Sequence, residues 1–290
     1  MGYLHIDNLY KNTEIMMFKE CYALEKIHGT SAHISWKDSE VRLFSGGAKH
    51  ETFAKLFDVE ELAKLFEEHF VVQSMEEHPD TVILFGEAYG GKMQGMKHTY
   101  GDELQFIVFD VKVNDTWLSV PDAYDVASKL NQEFVDYVKC DTKLETLNYY
   151  RDLTSRQAAR NGMGTDKMSE GVVLRPLIEL KKSNGNRIIV KHKRDEFIET
   201  STPREVDPTK LKLLEEANEI AKEWVTPMRF THVLDKLGNP TVIEKTGDVV
   251  KAMIEDVYRE AKGEIVESKA VQSAIGKSAA ALYKKVVNKI

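Results

Sequence analysis

Lys26 lies in Glu25-Lys26-Ile27-His28-Gly29-Thr30, between the runs Cys21-Tyr22-Ala23-Leu24 and Ala32-His33-Ile34-Ser35-Trp36. Both runs alternate or are β-rich, so the pattern predicts a strand on each side, with the lysine where one strand ends and its hairpin partner begins. Such a lysine is either a solvated charge or a nucleophile, and as one of 40 Lys and Arg it decides nothing alone. Other segments offer groups a nucleophile could use. Thr81-Val82-Ile83-Leu84-Phe85-Gly86-Glu87 is a nearly continuous apolar run, read as a buried strand that ends in a carboxylate. Ser169-Glu170-Gly171-Val172-Val173-Leu174-Arg175-Pro176 reads as a strand with an acid at its start and a proline at its stop. Arg187 to Lys193 is its expected neighbour; in a strand Lys191 and Lys193 share one face, where two like charges require solvent or an anion.

Between these lie the elements that must position them. Leu104 to Val113 is the strongest strand signal, and Phe106 and Phe109, three positions apart, point to opposite faces, so only one can line a given site. Val41-Arg42-Leu43-Phe44 ends at the turn Ser45-Gly46-Gly47, which can bring backbone close to a ligand. Leu56, Val59, Leu62, Ala63, Leu65 and Phe66 recur at helical spacing behind Asp58, with Glu61 completing a capping box. Pro121-Asp122 opens a second helix, with Ala123, Val126, Ala127, Leu130, Phe134 and Val138 on one stripe. Arg151, Arg156 and Arg160 precede the loop Asn161-Gly162-Met163-Gly164 and either hold phosphates or form a solvated face. Gly90-Gly91-Lys92 lacks the spacing of a phosphate-cradling P-loop.

After Pro203 and Pro208 the strand signals stop, and helical periodicity covers Lys210 to Val225, Asp248 to Lys262 and Lys269 to Asn288. The expected organisation is a β-rich domain over 1–203 and a small all-helical one over 204–290. Residues 269–290 carry five lysines and no acid, a surface for a phosphate backbone or a lysine-tipped helix end.

A net charge of −7 repels a polyanion on average, so nucleic-acid contact must come from a local basic surface. Two distant cysteines and nine histidines without paired ligand spacing argue against a structural zinc site and for a reducing compartment. Neither a signal peptide nor an apolar run approaching about 18 residues is read, so a cytosolic protein is expected.

Taken together, the segments resemble the motifs of the covalent nucleotidyltransferases, the superfamily of ATP-dependent ligases and mRNA capping enzymes. Lys26-Ile27-His28-Gly29 resembles motif I, Phe106 to Val111 motif III, Glu170-Gly171-Val172-Val173 motif IV and Lys191-His192-Lys193 motif V, with Glu87 like the acid ahead of motif III. Within the superfamily the surroundings are most similar to the RNA ligase 2 family of nick-sealing, phage-type RNA ligases. The resemblance spans about residues 20–200 by motif and the remainder by architecture. It implies an α+β fold: an ATP-grasp-like nucleotidyltransferase domain of antiparallel sheets flanked by helices, with a small all-helical C-terminal domain.

The resemblance also implies roles. Lys26 attacks the α-phosphate of ATP to give a lysyl-AMP and must reach it as a neutral amine, a state favoured by the cations Lys191 and Lys193 and by a divalent metal, Mg²⁺ or Mn²⁺. Lys191 and Lys193 also spread the developing phosphate charge, and Glu170 places the metal. Glu87 accepts from the ribose, Phe109 stacks on adenine, and Glu25 and Ile27 flank the lysine on the nucleotide side. His28, Arg42 and Phe106 are further candidates: His28 near the phosphates or metal, Phe106 as the other motif III ring, Arg42 as the arginine nearest the Ser45-Gly46-Gly47 turn. Related ligases carry an arginine close before that glycine, and Arg42 is out of register; Ser31 replaces an asparagine that often follows the motif I threonine. The implied partners are ATP and RNA ends, in nicked duplex RNA or an RNA:DNA hybrid, with no membrane, a monomeric state and a cytoplasmic setting, including that of an infected host cell. The alternatives are a DNA ligase or capping guanylyltransferase, which attach a β-barrel after motif V, and an inactive nucleic-acid binding relative.

Overall fold

Ten strands form two five-stranded sheets in a computed structural model of the chain, which describes residues 2–71, 78–182, 184–197 and 208–287. The strands are β1 (Asp7–Asn8), β2 (Glu20–Glu25), β3 (Thr30–Lys37), β4 (Glu40–Ser45), β5 (Thr81–Gly90), β6 (Leu104–Val113), β7 (Thr116–Trp117), β8 (Tyr137–Asp141), β9 (Gly171–Pro176) and β10 (Val190–Lys193). One sheet has the order β1-β10-β9-β2-β8 and the other β4-β3-β5-β6-β7, and all neighbours are antiparallel except β1 and β10. Helices flank them: α1 (His50–Ala54), α2 (Val59–Phe70), α3 (Lys97–Tyr100), α4 (Val120–Lys129), α5 (Leu144–Arg151) and α6 (Arg156–Arg160). The chain is thus α+β, with two antiparallel-rich sheets and flanking helices.

The expected hairpin around Lys26 does not form. β2 pairs with β8 and β9, whereas β3 pairs with β4 and β5, so Lys26 to Gly29 carry the chain from one sheet to the other. Both edges of β2 are taken by strands more than 100 residues away in sequence, and that distant pairing overrides the local one. The crossing is close: a Cβ on Gly29 would lie 2.4 Å from the Ala88 carbonyl oxygen, so only glycine fits.

The second helix also ends earlier than its stripe predicts. α4 starts as expected, with the Ser119 hydroxyl accepting from the Asp122 amide and Pro121 in the first turn, but it stops at Lys129. Asn131 then takes a left-handed φ of 54°, which turns the chain; Phe134 bridges to Val108, and Val138 belongs to β8. α2 follows its sequence signal, with Asp58 accepting from the Glu61 amide at 3.0 Å. It buries Leu62 and Phe66, and Phe66 stacks on Trp36 with ring centroids 5.9 Å apart. Burying a ring of this size stabilises the sheet-helix layer by roughly 1.5–3 kcal/mol.

β6 contains a register shift that shapes everything below. Phe85 pairs with Asp110 and Gly86 with Val108, so Phe109 is an extra residue, a β-bulge. Two adjacent side chains, Phe109 and Asp110, therefore face the same side of the sheet as Phe85 and Glu87. Phe106 faces the other side.

Residues 1–204 and 205–290 form two compact units. The expected boundary at 203/204 lies outside the described residues. The second unit holds α7 (Pro208–Trp224), α8 (Pro227–Lys236), α9 (Thr246–Glu260) and α10 (Lys269–Val287), and its described residues contain no strand. α8 has no counterpart in the sequence reading; its cap is Thr226, accepting from Arg229, with Pro227 next. Asn288, the end of the expected last helix, lies outside the described residues. No helix among the described residues is long and apolar enough to cross a membrane.

Candidate functional site

The residues after β2 and before β9 meet because their backbones do. The Lys26 amide donates to the Gly171 carbonyl at 2.9 Å, which sets Lys26 beside Glu170 at the mouth of β9. Lys26 Nζ lies 2.9 Å from Glu170 Oε2, and His28 Nδ1 lies 3.0 Å from the same oxygen. Lys193 Nζ reaches Glu170 Oε1 at 2.8 Å from β10, where Lys193 is paired with Gly171. Burial would raise the Glu170 pKa, but the His28 hydrogen bond and the Lys26 and Lys193 charges outweigh it and hold the carboxyl at about 2. Glu170 is therefore a buried carboxylate favoured in its ionised form, with Lys26, His28 and Lys193 as its partners. The His28 ring is packed edge-on against Phe197 at 5.3 Å, and Lys193 also donates to the Phe197 carbonyl.

A cavity of about 330 Å³ opens beside Lys26, within the size range of small-molecule sites. Lys26, Ile27, Glu87 and Phe109 line it, together with Ser31, Phe44 and Gly46 from the other sheet and Leu24, Val173 and Ile189 from the first. Lys191 pairs with Val173 and projects from the same side of β10 as the cavity-lining Ile189 and as Lys193. Glu87 accepts from the Gly29 amide at 3.1 Å. Burial pushes its carboxyl up to about 7, against the pull of Lys26. Lys26 thus joins two groups drawn from five separate segments of chain: it lines the cavity with Glu87 and Phe109, and it shares Glu170 with His28 and Lys193.

Three sequence candidates are placed differently. Glu25 lines the cavity, but its carboxylate is turned to the start of α6, where it accepts from the Ser155 hydroxyl at 2.5 Å and from the Arg156 and Gln157 amides at 3.1 Å each. Phe106 is excluded from the cavity: it packs on the far face of the sheet against Phe53 and Phe57, at 5.5 and 5.6 Å. Arg42 is also apart from the site, on the exposed strand β4, where it pairs with Glu40 at 2.9 Å. The arginines Arg156 and Arg160 pair with Asp136 at 3.2 and 3.1 Å, and Arg151 pairs with Asp152 at 2.7 Å, which fits the solvated-face reading of that segment.

Beneath the cavity lies a cluster the sequence reading missed. Arg175 donates to Asp110 Oδ1 at 2.9 Å and to Glu179; Arg187 donates to Asp110 Oδ2 at 2.5 Å and to Glu179 at 2.8 and 3.0 Å. The Arg187 guanidinium also lies 4.1 Å over the Trp117 ring. Tyr3 donates to Asp110 Oδ2 at 2.6 Å. One signal was in the sequence: Arg175 is an arginine within an otherwise apolar strand, which requires a buried partner.

A family model described as RNA ligase matches residues 19–193. Among solved structures the chain is similar to Naegleria gruberi RNA ligase. A variant with ATP and Mn is 14% identical, with a TM-score of 0.50, over 69% of this chain and 57% of that one. The form with PPi is 16% identical, with a TM-score of 0.48, over 69% and 57%. A second variant with ATP and Mn is 14% identical, with a TM-score of 0.49, over 68% and 56%. The likeness is one of fold, and the chain spans a little over half the length of those ligases. No curated protein matches. Because the family match covers more than half of the chain and contains Lys26, Glu87, Phe109, Glu170, Lys191 and Lys193, this protein belongs to the RNA ligase family.

Proposed function

We propose that the chain is an ATP-dependent RNA ligase that joins a 3′-hydroxyl to a 5′-phosphate through a lysyl-AMP on Lys26. The observation that carries this reading is the position of the Lys26 amine, at the edge of a cavity that also presents Phe109 and Glu87 and 2.9 Å from an ionised Glu170. Adenine would stack on Phe109 and the ribose hydroxyls would donate to Glu87, leaving the α-phosphate beside Lys26. The amine, once deprotonated, attacks that phosphorus; the N–P bond forms, the bond to the β-phosphate oxygen breaks, and pyrophosphate leaves. Lys193 and Lys191 hold the charge on the phosphate oxygens. The AMP then passes to the RNA 5′-phosphate, and the 3′-hydroxyl displaces it.

Among the described residues no cluster of three or more metal-ligating side chains exists. A single buried carboxylate, Glu170, suits Mg²⁺ or Mn²⁺, which takes most of its ligands from water and phosphates. Such an ion supplies charge neutralisation on the phosphates. In this chain Glu170 would hold it, and Lys26 and His28, now on the same carboxylate oxygen, would give way. The Naegleria gruberi ligase was solved with ATP and Mn, the same pair proposed here.

The helical unit 205–290, with its basic last helix, is proposed to contact nucleic acid, and nicked duplex RNA or an RNA:DNA hybrid is the proposed substrate, with a monomer acting in a cytoplasmic setting. The DNA ligase and guanylyltransferase readings call for a β-barrel after motif V, whereas residues 208–287 carry four helices and no strand. Incubation with α-labelled ATP and Mg²⁺ tests the reaction. Label is expected on the wild-type protein and not on Lys26→Ala, with transfer to a 5′-phosphorylated strand at a nick; label that never attaches, or attaches equally to both proteins, removes the mechanism.

A further inference from the structure

One wall of the cavity comes from Gly2, Tyr3, Leu4 and Ile6, a segment ahead of the family-matched residues 19–193. Tyr3 is fixed there from two directions. Its ring meets Phe109 edge to face at 4.9 Å, and also contacts Phe85 at 5.2 Å and Trp117 at 5.7 Å. Its hydroxyl donates to Asp110 at 2.6 Å and accepts from Arg187 at 3.3 Å. The two residues of the bulge are therefore both held by one side chain, Phe109 through the ring and Asp110 through the hydroxyl. Asp110 is itself locked by Arg175 and Arg187, so the tyrosine is tied to the most buried polar cluster in the unit.

We propose that Tyr3 is a positioning residue for Phe109: it fixes the angle at which that ring is offered to the nucleotide base, so that this chain completes its base pocket with a segment outside the family-matched region. The inference rests on the proposed reading that a nucleotide base stacks on Phe109. The reason is geometric. Phe109 sits on a bulge, where the ladder does not hold it, and its open side faces a cavity; a ring there swings among rotamers unless a neighbour blocks it. Tyr3 is that neighbour. Its contribution is to reduce the ordering that binding would otherwise require, so it acts on affinity and base choice, not on the transfer step.

The test uses the full chain with Tyr3→Phe, Tyr3→Leu and Tyr3→Ala, alone and combined with Phe109→Ala. Equilibrium binding of ATP is measured by titration calorimetry, and the rate of labelled adduct formation is measured across ATP concentrations. Tyr3→Leu and Tyr3→Ala are expected to weaken ATP binding and raise KM roughly three- to tenfold with the maximal rate within about twofold, and to narrow the preference for ATP over GTP; Tyr3→Phe, which keeps the ring, restores most of the affinity. In the Phe109→Ala background the Tyr3 substitutions are expected to change binding by less than about twofold, because the ring they position is gone. Unchanged binding in both Tyr3→Leu and Tyr3→Ala, or an undiminished loss in the Phe109→Ala background, overturns the proposal. Wild-type protein that binds ATP but forms no adduct overturns the proposed reaction and leaves the Tyr3 comparison intact as a test; wild-type protein that binds no ATP overturns both.

Discussion

Two buried acids, Glu170 and Asp110, are each held by cations, yet they are held in different ways. Around Glu170 the partners are Lys26, His28 and Lys193, and the first two side chains remain 22% and 28% exposed. Around Asp110 they are Arg175 and Arg187, with Glu179 balancing the second charge, and both arginines are at most 2% exposed. Lysine is a point charge on a flexible stem and can leave its partner; a guanidinium in a fixed fork cannot without breaking several bonds at once. The first cluster can rearrange, as the proposed arrival of phosphates would require, and the second is fixed. The same pairing chemistry gives mobility at the rim and rigidity at the floor.

The sharpest way to break this comparison is Lys26→Arg. It keeps a cation beside Glu170 but removes the proposed nucleophile, so adduct formation is expected to fall at least about 10⁴-fold with the unfolding midpoint nearly unchanged. Loss of folding with loss of label would make Lys26 structural. Asp110→Ala should do the opposite. It leaves two buried arginines sharing one carboxylate, Glu179, at a cost of roughly 3–5 kcal/mol, read as a lowered urea midpoint; a stability equal to wild type would show the floor cluster to be dispensable. Glu170→Gln is expected to cost on the order of 10²-fold in adduct formation while costing less stability than Asp110→Ala, because Lys26 and His28 can turn to solvent.

Glu87 adds a pH dependence. Its carboxyl is raised by burial from 4.5 to about 7, so the folded state prefers it protonated; the stability it contributes is full below pH 4.5 and is lost as pH rises to about 7. Urea unfolding across that window should show Glu87→Gln losing less stability with rising pH than wild type does. The smallest effects distinguish the two faces of β6. Phe109→Leu should raise the KM for ATP by a few fold and Phe106→Leu should lower stability by about 1 kcal/mol with KM unchanged. A KM effect from Phe106 would place the wrong ring in the cavity.

The candidate groups of this chain were legible because their types carry their chemistry: a lysine flanked by strand-forming residues, acids at strand ends, a Lys-x-Lys pair on one strand face. Glu87, Glu170 and Lys193 were found this way, and the Phe106 and Phe109 alternation held. The Asp58 cap was likewise local, since a capping residue bonds an amide three positions on; Ser119, the cap of α4, was not singled out.

What local pattern could not supply was which partners each strand would take. β2 and β3 read as a hairpin, and pairing with strands far along the chain placed them in different sheets, which is what sets Lys26 on the crossing between them. The helical stripe through Phe134 and Val138 was undone by one left-handed residue, Asn131. A one-residue shift in β6 put Phe109 and Asp110 on the same side, and a hydroxyl 107 positions away closed on that aspartate. The sequence by itself offered the candidate reactive groups and the starts of α2 and α4, because those depend on residue type and near neighbours. Only the tertiary structure decided that Glu170 is held by partly exposed lysine and histidine and Asp110 by buried arginines, that the Glu25 carboxylate faces the start of α6, and that Tyr3 stands against Phe109, because each is a contact between segments whose separation in the chain carries no signal.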